Sequence, residues 1–251
     1  MPSHNPSVAI RIDALDPETM ALWRTVTKVA QALEHANVRW CLVGGLMVAL
    51  FAIEAGQIQR ATTDIDILGD ARQRPSGTQE VARRLAALGA ELDEVTGLEQ
   101  ERGFRFNLDG QTVDVLGPDG LAAPPRTKGR LQTIQVPGGT QALKRTEAVE
   151  LVVADQHAVL RRPTLLGAVL LKARSLPVHD RPEDQRQDLI TLLGLVTDPR
   201  PVAATLTRAE AKWLQAIESR LDLEDADLDA TVDPAHLQIA RAAYRRLTGA
   251  R

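Results

Sequence analysis

Two aspartates at alternate positions of an otherwise apolar run constrain this chain more than any other feature. In "RATTDIDILG", residues 60–69, Asp64 and Asp66 alternate with Ile65 and Ile67. Successive side chains of a strand point to opposite faces, so the two carboxylates share one face and the isoleucines bury on the other. Like charges this close repel, and burying both is costly unless a cation compensates them. A hard divalent ion meets that need. Mg²⁺, or Mn²⁺, takes one or two protein carboxylates and leaves its other positions to water and phosphate oxygens.

Two further features bear on the same chemistry. "TVDVL" places Asp114 among β-branched residues in a second strand. If the two strands are neighbours, three carboxylates converge, which is the equipment of metal-assisted phosphoryl or nucleotidyl transfer. Gly44-Gly45 lies between the apolar run ending at Val43 and a helical run from Leu46 to Ala55. A glycine turn there lets backbone N–H groups and the helix N-terminus approach a phosphate chain. The plainer alternatives are a capping Asp64, an Asp66 paired with Arg60, and an Asp114 on an exposed strand face.

The pattern around these residues is that of an α/β (α+β) protein. Asp16-Pro17-Glu18 is a helix start, followed by Leu22, Val26, Val29, Ala30 and Leu33 at helical spacing. Val38–Val43 reads as a buried strand, and Thr78–Leu88 as an amphipathic helix closed by Gly89. "ELDEV", "RGFRFNLDGQTVDVLG" and "RLQTIQVPGGT" then read as short strands. Asp109-Gly110 is a hairpin turn that sets Arg105–Leu108 against Thr112–Leu116. Gly138-Gly139 reads as a simple turn with no helix start behind it. From Pro163, taken as a first-turn proline, the chain reads as helical, with a second start near Pro182 and helices near 207–221 and 234–248. These patterns predict a mixed sheet with flanking helices over residues 1–160 and a helical portion over 161–251.

Composition excludes several classes. No apolar run approaches the roughly 20 residues that span a bilayer, and the N-terminal residues lack the basic start and apolar centre of a signal peptide. The expected address is cytoplasmic, with no membrane partner. The one cysteine, Cys41, excludes an intrachain disulfide and reads as a core residue. "LDLEDADLDATVD", residues 221–233, holds six acids and no base, so taking them away shifts the net charge from −3 to +3. That run reads as a solvated, partly disordered connector. The remaining body tolerates an RNA partner without requiring one.

"VGGLMVAL" followed by "RATTDIDI" resembles the nucleotidyltransferase core motif, a Gly-Gly/Ser turn and then Asp-x-Asp/Glu on the next strand. The form Arg60, Thr62, Asp64, Asp66 is similar to the AbiEii/AbiGii (MenT-like) type IV toxin family. Lys172 on "LGAVLLKARSL" and Asp188 in "DQRQDLITLL" match its later motif, a helical lysine and then a Lys/Arg-Asp pair. Gly45 replaces the serine of many nucleotidyltransferases, Gln187 stands where a base precedes the aspartate, and Thr191 replaces a second acid. The likeness spans roughly residues 38 to 195.

The resemblance implies a nucleotidyltransferase fold and the transfer of a nucleotide from an NTP to an RNA acceptor, the 3′ end of tRNA. It further implies a toxin held in check by a separate antitoxin protein. Asp64, Asp66 and Asp114 are then the metal ligands, with Lys172 and Asp188 completing the catalytic set. Gly44, Gly45, Arg60, Thr62 and Arg174 are the expected nucleotide contacts. Two other readings share the same core: a small-molecule, aminoglycoside-type nucleotidyltransferase using the acidic run, and a catalytically degenerate binding protein.

Overall fold

The computed structural model describes residues 9–13, 15–57, 62–93 and 102–249. The expected nucleotide contact Arg60 and the last residues of "ELDEV", Glu94 and Val95, lie outside the described residues. The fold is of the mixed α/β class, as the sequence predicts. No described helix is long and apolar enough to cross a membrane.

The larger sheet has the order β2-β3-β6-β5-β4, with β7 pairing β6. Its strands are β2 (Trp40–Val43), β3 (Asp64–Gly69), β4 (Glu91–Leu92), β5 (Arg105–Leu108), β6 (Gln111–Pro118) and β7 (Gln135–Val136). β3 runs antiparallel to β2 and parallel to β6. The predicted hairpin is present: Asp109 and Gly110 adopt φ of 54° and 79°, the left-handed pair that a two-residue turn needs. β5 therefore lies antiparallel to β6, with Leu108 opposite Gln111.

Helix α1 (Pro17–Glu34) starts where expected, with the Asp16 side chain accepting from the N–H groups of Glu18 and Thr19. Helix α2 (Gly44–Glu54) follows β2 without a loop, so Gly44 and Gly45 are its first two residues rather than a turn before it. Every residue from Gly45 to Ala52 is buried, and a helix apolar all round must be enclosed all round. It packs on β2, β3 and helix α6 (Pro182–Gly194). Helix α3 (Gly77–Ala87) covers β3 and β6.

Three expectations are corrected. First, Pro163 does not open a helix; it is the last residue of β9 (Gln156–Pro163), and Thr164 caps helix α5 (Leu165–Ser175). β9 pairs with β8 (Thr146–Val153), which runs parallel to β1 (Ile10–Ile12), giving a second, three-stranded sheet. Second, a short helix α4 (Gly139–Lys144) does follow Gly138. Its first N–H groups are occupied: the Asp119 carboxylate accepts from Gly138 and Thr140. Burial works to raise the Asp119 pKa, and these donors outweigh it and hold it below the usual carboxylate value.

Third, the acidic run is folded. The helices after α6 are α7 (Pro199–Ala204), α8 (Arg208–Gln215), α9 (Glu218–Leu221), α10 (Ala226–Thr231) and α11 (Pro234–Thr248). Leu221, Leu223 and Leu228 anchor the run in the core. Asp225 caps α10 and accepts from Arg186 at 2.9 Å. The side chain of Asp229 lies outside the described set. The apolar core is continuous across residue 160: Leu42, Leu160, Val169 and Leu237 belong to one cluster.

Candidate active site

One row of residues crosses four strands of the larger sheet. Val43 on β2 pairs with Asp66 on β3, Asp66 with Asp114 on β6, and Asp114 with Arg105 on β5. Paired strands stand about 4.8 Å apart and register partners in a sheet share a face, so Asp66, Asp114 and Arg105 are adjacent on one side. Asp64 lies two residues before Asp66 on the same face, beside Thr112. Asp64 and Asp66 are half-buried, whereas Asp114 is 6% exposed.

The electrostatics follow from this crowding. Desolvation, the Asp114 carboxylate and then Asp64 push the Asp66 pKa up to about 7, with Lys172 and Arg105 pulling against them. Arg105 binds Asp114 with two donors, Nε at 2.9 Å and Nη2 at 2.8 Å. That two-pronged contact raises the guanidinium above its ordinary range, against a smaller opposing effect of burial. Thr63 donates its hydroxyl to Asp64 at 3.3 Å, and Thr62 lies half-buried just before β3.

Gly44 is where the glycine pair meets the carboxylates. Its φ is +71°, and an ideal Cβ placed on it would lie 1.8 Å from Asp66 Oδ2. Only a residue without a side chain fits, on both counts. Among the described residues no side chain caps α2, whose N-cap is Val43. Its first turn lies beside Asp66.

Lys172, in the last turn of α5, is 3% exposed. Its ammonium lies 2.8 Å from Asp188 Oδ2 and donates to Gln185 Oε1 at 3.1 Å. Both acceptors come from α6 and both are buried. The lysine and aspartate singled out in the sequence are thus one ion pair, and its positive charge is felt at Asp66. Arg174 takes another direction. Two residues on, it is turned about 200° around the helix, and its guanidinium lies over Trp213 of α8 at 4.8 Å.

Arg105 and Gln185 are absent from the sequence-derived set, although a signal for each was present. Counting back from the Asp109-Gly110 turn pairs Arg105 with Asp114, and Gln185 lies three residues before Asp188 on one helix face. Among the described residues no three carboxylate, imidazole or thiol side chains form a ready-made metal site. The donor set nevertheless suits a hard cation: Asp64 and Asp66 are carboxylates on one face, and the raised Asp66 pKa marks a place that favours added positive charge.

No family model matches this chain, and no curated protein matches it. Solved structures do match. A nucleotidyltransferase-like protein from Paracoccidioides brasiliensis is 16% identical over 87% of this chain and 92% of its own, with a TM-score of 0.47. The antibiotic-resistance factor ANT(2'')-Ia in solution is 15% identical over 86% of this chain and 98% of its own, with a TM-score of 0.41. Its crystal structure with adenylyl-2''-tobramycin is 14% identical over 88% and 95%, with a TM-score of 0.37. At these scores the likeness does not extend to a shared chemistry.

Proposed function

We infer that the chain is a metal-dependent nucleotidyltransferase that moves a nucleotide from an NTP to a hydroxyl acceptor and releases pyrophosphate. The observation that carries this reading is the juxtaposition at Asp66. At Asp66 the carboxylate row meets the first turn of α2, which no described side chain caps, and the charge of the buried Lys172 acts on the same carboxylate. The helix terminus and the lysine suit a triphosphate, and the carboxylates suit the cation that accompanies it.

Asp64 and Asp66 would hold the divalent ion, with Asp114 as a third ligand or as base toward the incoming hydroxyl. When bound, that ion supplies the positive charge that neutralises the triphosphate and the pyrophosphate leaving group. The residues of the chain do the rest. Gly44 and Gly45 seat the phosphates on the N–H groups of α2. The acceptor oxygen attacks the α-phosphorus in line, a new O–P bond forms, and the bond to the β-phosphate oxygen breaks. The hydroxyl proton passes to a carboxylate of the row. Lys172 meets the negative charge that grows on the leaving group, and Asp188 holds Lys172 in place.

The finer reading, an RNA-modifying toxin that acts at the 3′ end of tRNA and is neutralised by an antitoxin, rests on the Arg60–Thr62–Asp64–Asp66 form and the Lys172–Asp188 pair. The ion pair between those last two residues supports it. Incubation with total cellular RNA, Mg²⁺ and each α-³²P-labelled NTP in turn tests both levels. Label in a tRNA-sized band, lost with Asp66→Ala, is the expected result. Equal labelling by Asp66→Ala overturns the mechanism, and growth of the host unaffected by induced expression overturns the toxin reading.

A further inference from the structure

Both oxygens of the Asp114 carboxylate are already engaged. Arg105 Nε donates to Oδ1 at 2.9 Å and Nη2 donates to Oδ2 at 2.8 Å, side by side. Such a fork lies along the carboxylate edge where the inner lone pairs of both oxygens point, the edge that a chelating cation also uses. Asp114 is 6% exposed, so bulk water competes little for that edge. Arg105 is held in its turn. It stands opposite Asp114 in the hairpin closed by Asp109-Gly110, and Lys28 of α1 ties down Asp109 at 2.7 Å. Its guanidinium carbon lies 5.9 Å from the centre of the Phe104 ring, within cation–π range.

Charge leads to the same place. The row carries three carboxylates, those of Asp64, Asp66 and Asp114, and one guanidinium. Two negative charges are left over, and one divalent ion cancels them. Lys172 does not alter this balance, because Asp188 neutralises it at 2.8 Å. A second divalent ion at Asp114 would face a guanidinium that cannot give up its proton. The charge of the triphosphate would fall at the other end of the row, beside Gly44, three strand spacings or roughly 14 Å from Arg105.

We propose that the site takes one divalent ion, held by Asp64 and Asp66, and that Arg105 stands where a second ion would otherwise bind at Asp114. The proposal rests on the nucleotidyltransferase reading and narrows it. Asp64 and Asp66 suffice for one ion, since Mg²⁺ takes one or two carboxylates and fills its remaining positions with water and phosphate oxygens. Asp114 is then the holder of Arg105 rather than a ligand. The guanidinium supplies, at the end of the row away from Gly44, the fixed positive charge that a two-ion site draws from its second metal.

Mn²⁺ in place of Mg²⁺ tests this, because its EPR spectrum reports whether a second ion is close by. The full chain is dialysed to equilibrium against Mn²⁺ and the α,β-methylene analogue of each NTP in turn, which binds without being cleaved. The wild type should retain one Mn²⁺ per chain, with the spectrum of an isolated ion. Arg105→Ala frees the Asp114 edge and should retain two, coupled as ions about 3.5–4 Å apart are. Arg105→Ala combined with Asp114→Asn should return the count to one, a pattern that a merely structural role for Arg105 would not produce.

Two coupled ions in the wild type overturn the proposal, and that measurement needs no variant to fold. A single ion in folded Arg105→Ala overturns the role given to Arg105. Failure of the underlying reading looks different: the wild type retains Mn²⁺ with none of the four analogues, and the proposal falls with it.

Discussion

Arg105 and Asp114 are register partners across the β5–β6 hairpin, and Arg105 gives the carboxylate two hydrogen bonds of 2.8 and 2.9 Å. Asp114 is therefore held by a cation from its own sheet on one side and faces Asp66 on the other. The Arg105 side chain is 39% exposed, which screens part of the attraction. Arg105→Ala should cost about 1–2 kcal/mol in urea unfolding, and added Mg²⁺ should restore more stability to the variant than to the wild type. Equal responses to Mg²⁺ would show that Asp114 takes no part in cation binding.

Gly44 and Gly56 share a left-handed backbone but differ in surroundings. Their φ values are 71° and 68°, yet among the described residues nothing lies within 4 Å of a Cβ at Gly56. Gly56→Ala should cost about 1 kcal/mol from backbone strain alone and leave transfer intact. Gly44→Ala adds the collision with Asp66 and should abolish both transfer and Mg²⁺-dependent nucleotide binding, measured by titration with each NTP.

The raised Asp66 pKa makes the metal-free protein sensitive to pH. The folded state holds this proton up to about pH 7, whereas the unfolded chain releases it near the ordinary aspartate value of 3.8. The resulting stability is fully present below the unfolded value and is lost as pH rises through the folded one. The slope should approach about 1.4 kcal/mol per pH unit in between. Asp66→Asn should remove it, as read from urea midpoints between pH 4 and 8. Mg²⁺ competes with the same proton, so its affinity should rise with pH up to about 7 and then level.

Lys172→Met removes the ammonium that balances a fully buried Asp188. A cost of about 3–5 kcal/mol is expected for breaking such a pair from one side. Lys172→Met with Asp188→Asn should cost less than the two single changes added, a coupling that a double-mutant cycle in urea measures.

Cys41 is inaccessible, and burial pushes its thiol up to about 12. It should resist a thiol reagent at pH 8 in the native protein and react at the rate of unfolding in moderate urea. Rapid native labelling would mean that β2 opens far more often than its burial implies.

Local patterns carried much of this architecture. The shared face of Asp64 and Asp66 follows from strand alternation, the Arg105–Asp114 pairing from a two-residue turn, and the burial of Lys172 from its apolar helix. What no local pattern carries is strand order: that β3 lies beside β6, in the register joining Asp66 to Asp114, depends on pairing between segments about fifty residues apart. The β8–β9 hairpin was hidden for a different reason. Arg162 and Glu147 make its ends look solvated, yet Arg162 is 4% exposed, clamped by Glu54 and Glu147 with its guanidinium 3.8 Å from the Phe51 ring. The acidic run misled by composition, because its charges outnumber the three leucines that fasten it.

The core that runs unbroken past residue 160 has a consequence for how such a protein can change over time. The proposed phosphate seat near the start of the chain and the Lys172 ammonium from its later helices belong to elements that share one apolar core. A cut between them exposes the flank of α2 and removes Lys172 in the same stroke. The two parts cannot be exchanged like cassettes, each bringing its own specificity. Under the proposed transfer, new acceptors have to be won by altering the rim, one surface segment at a time, around an interior that stays whole.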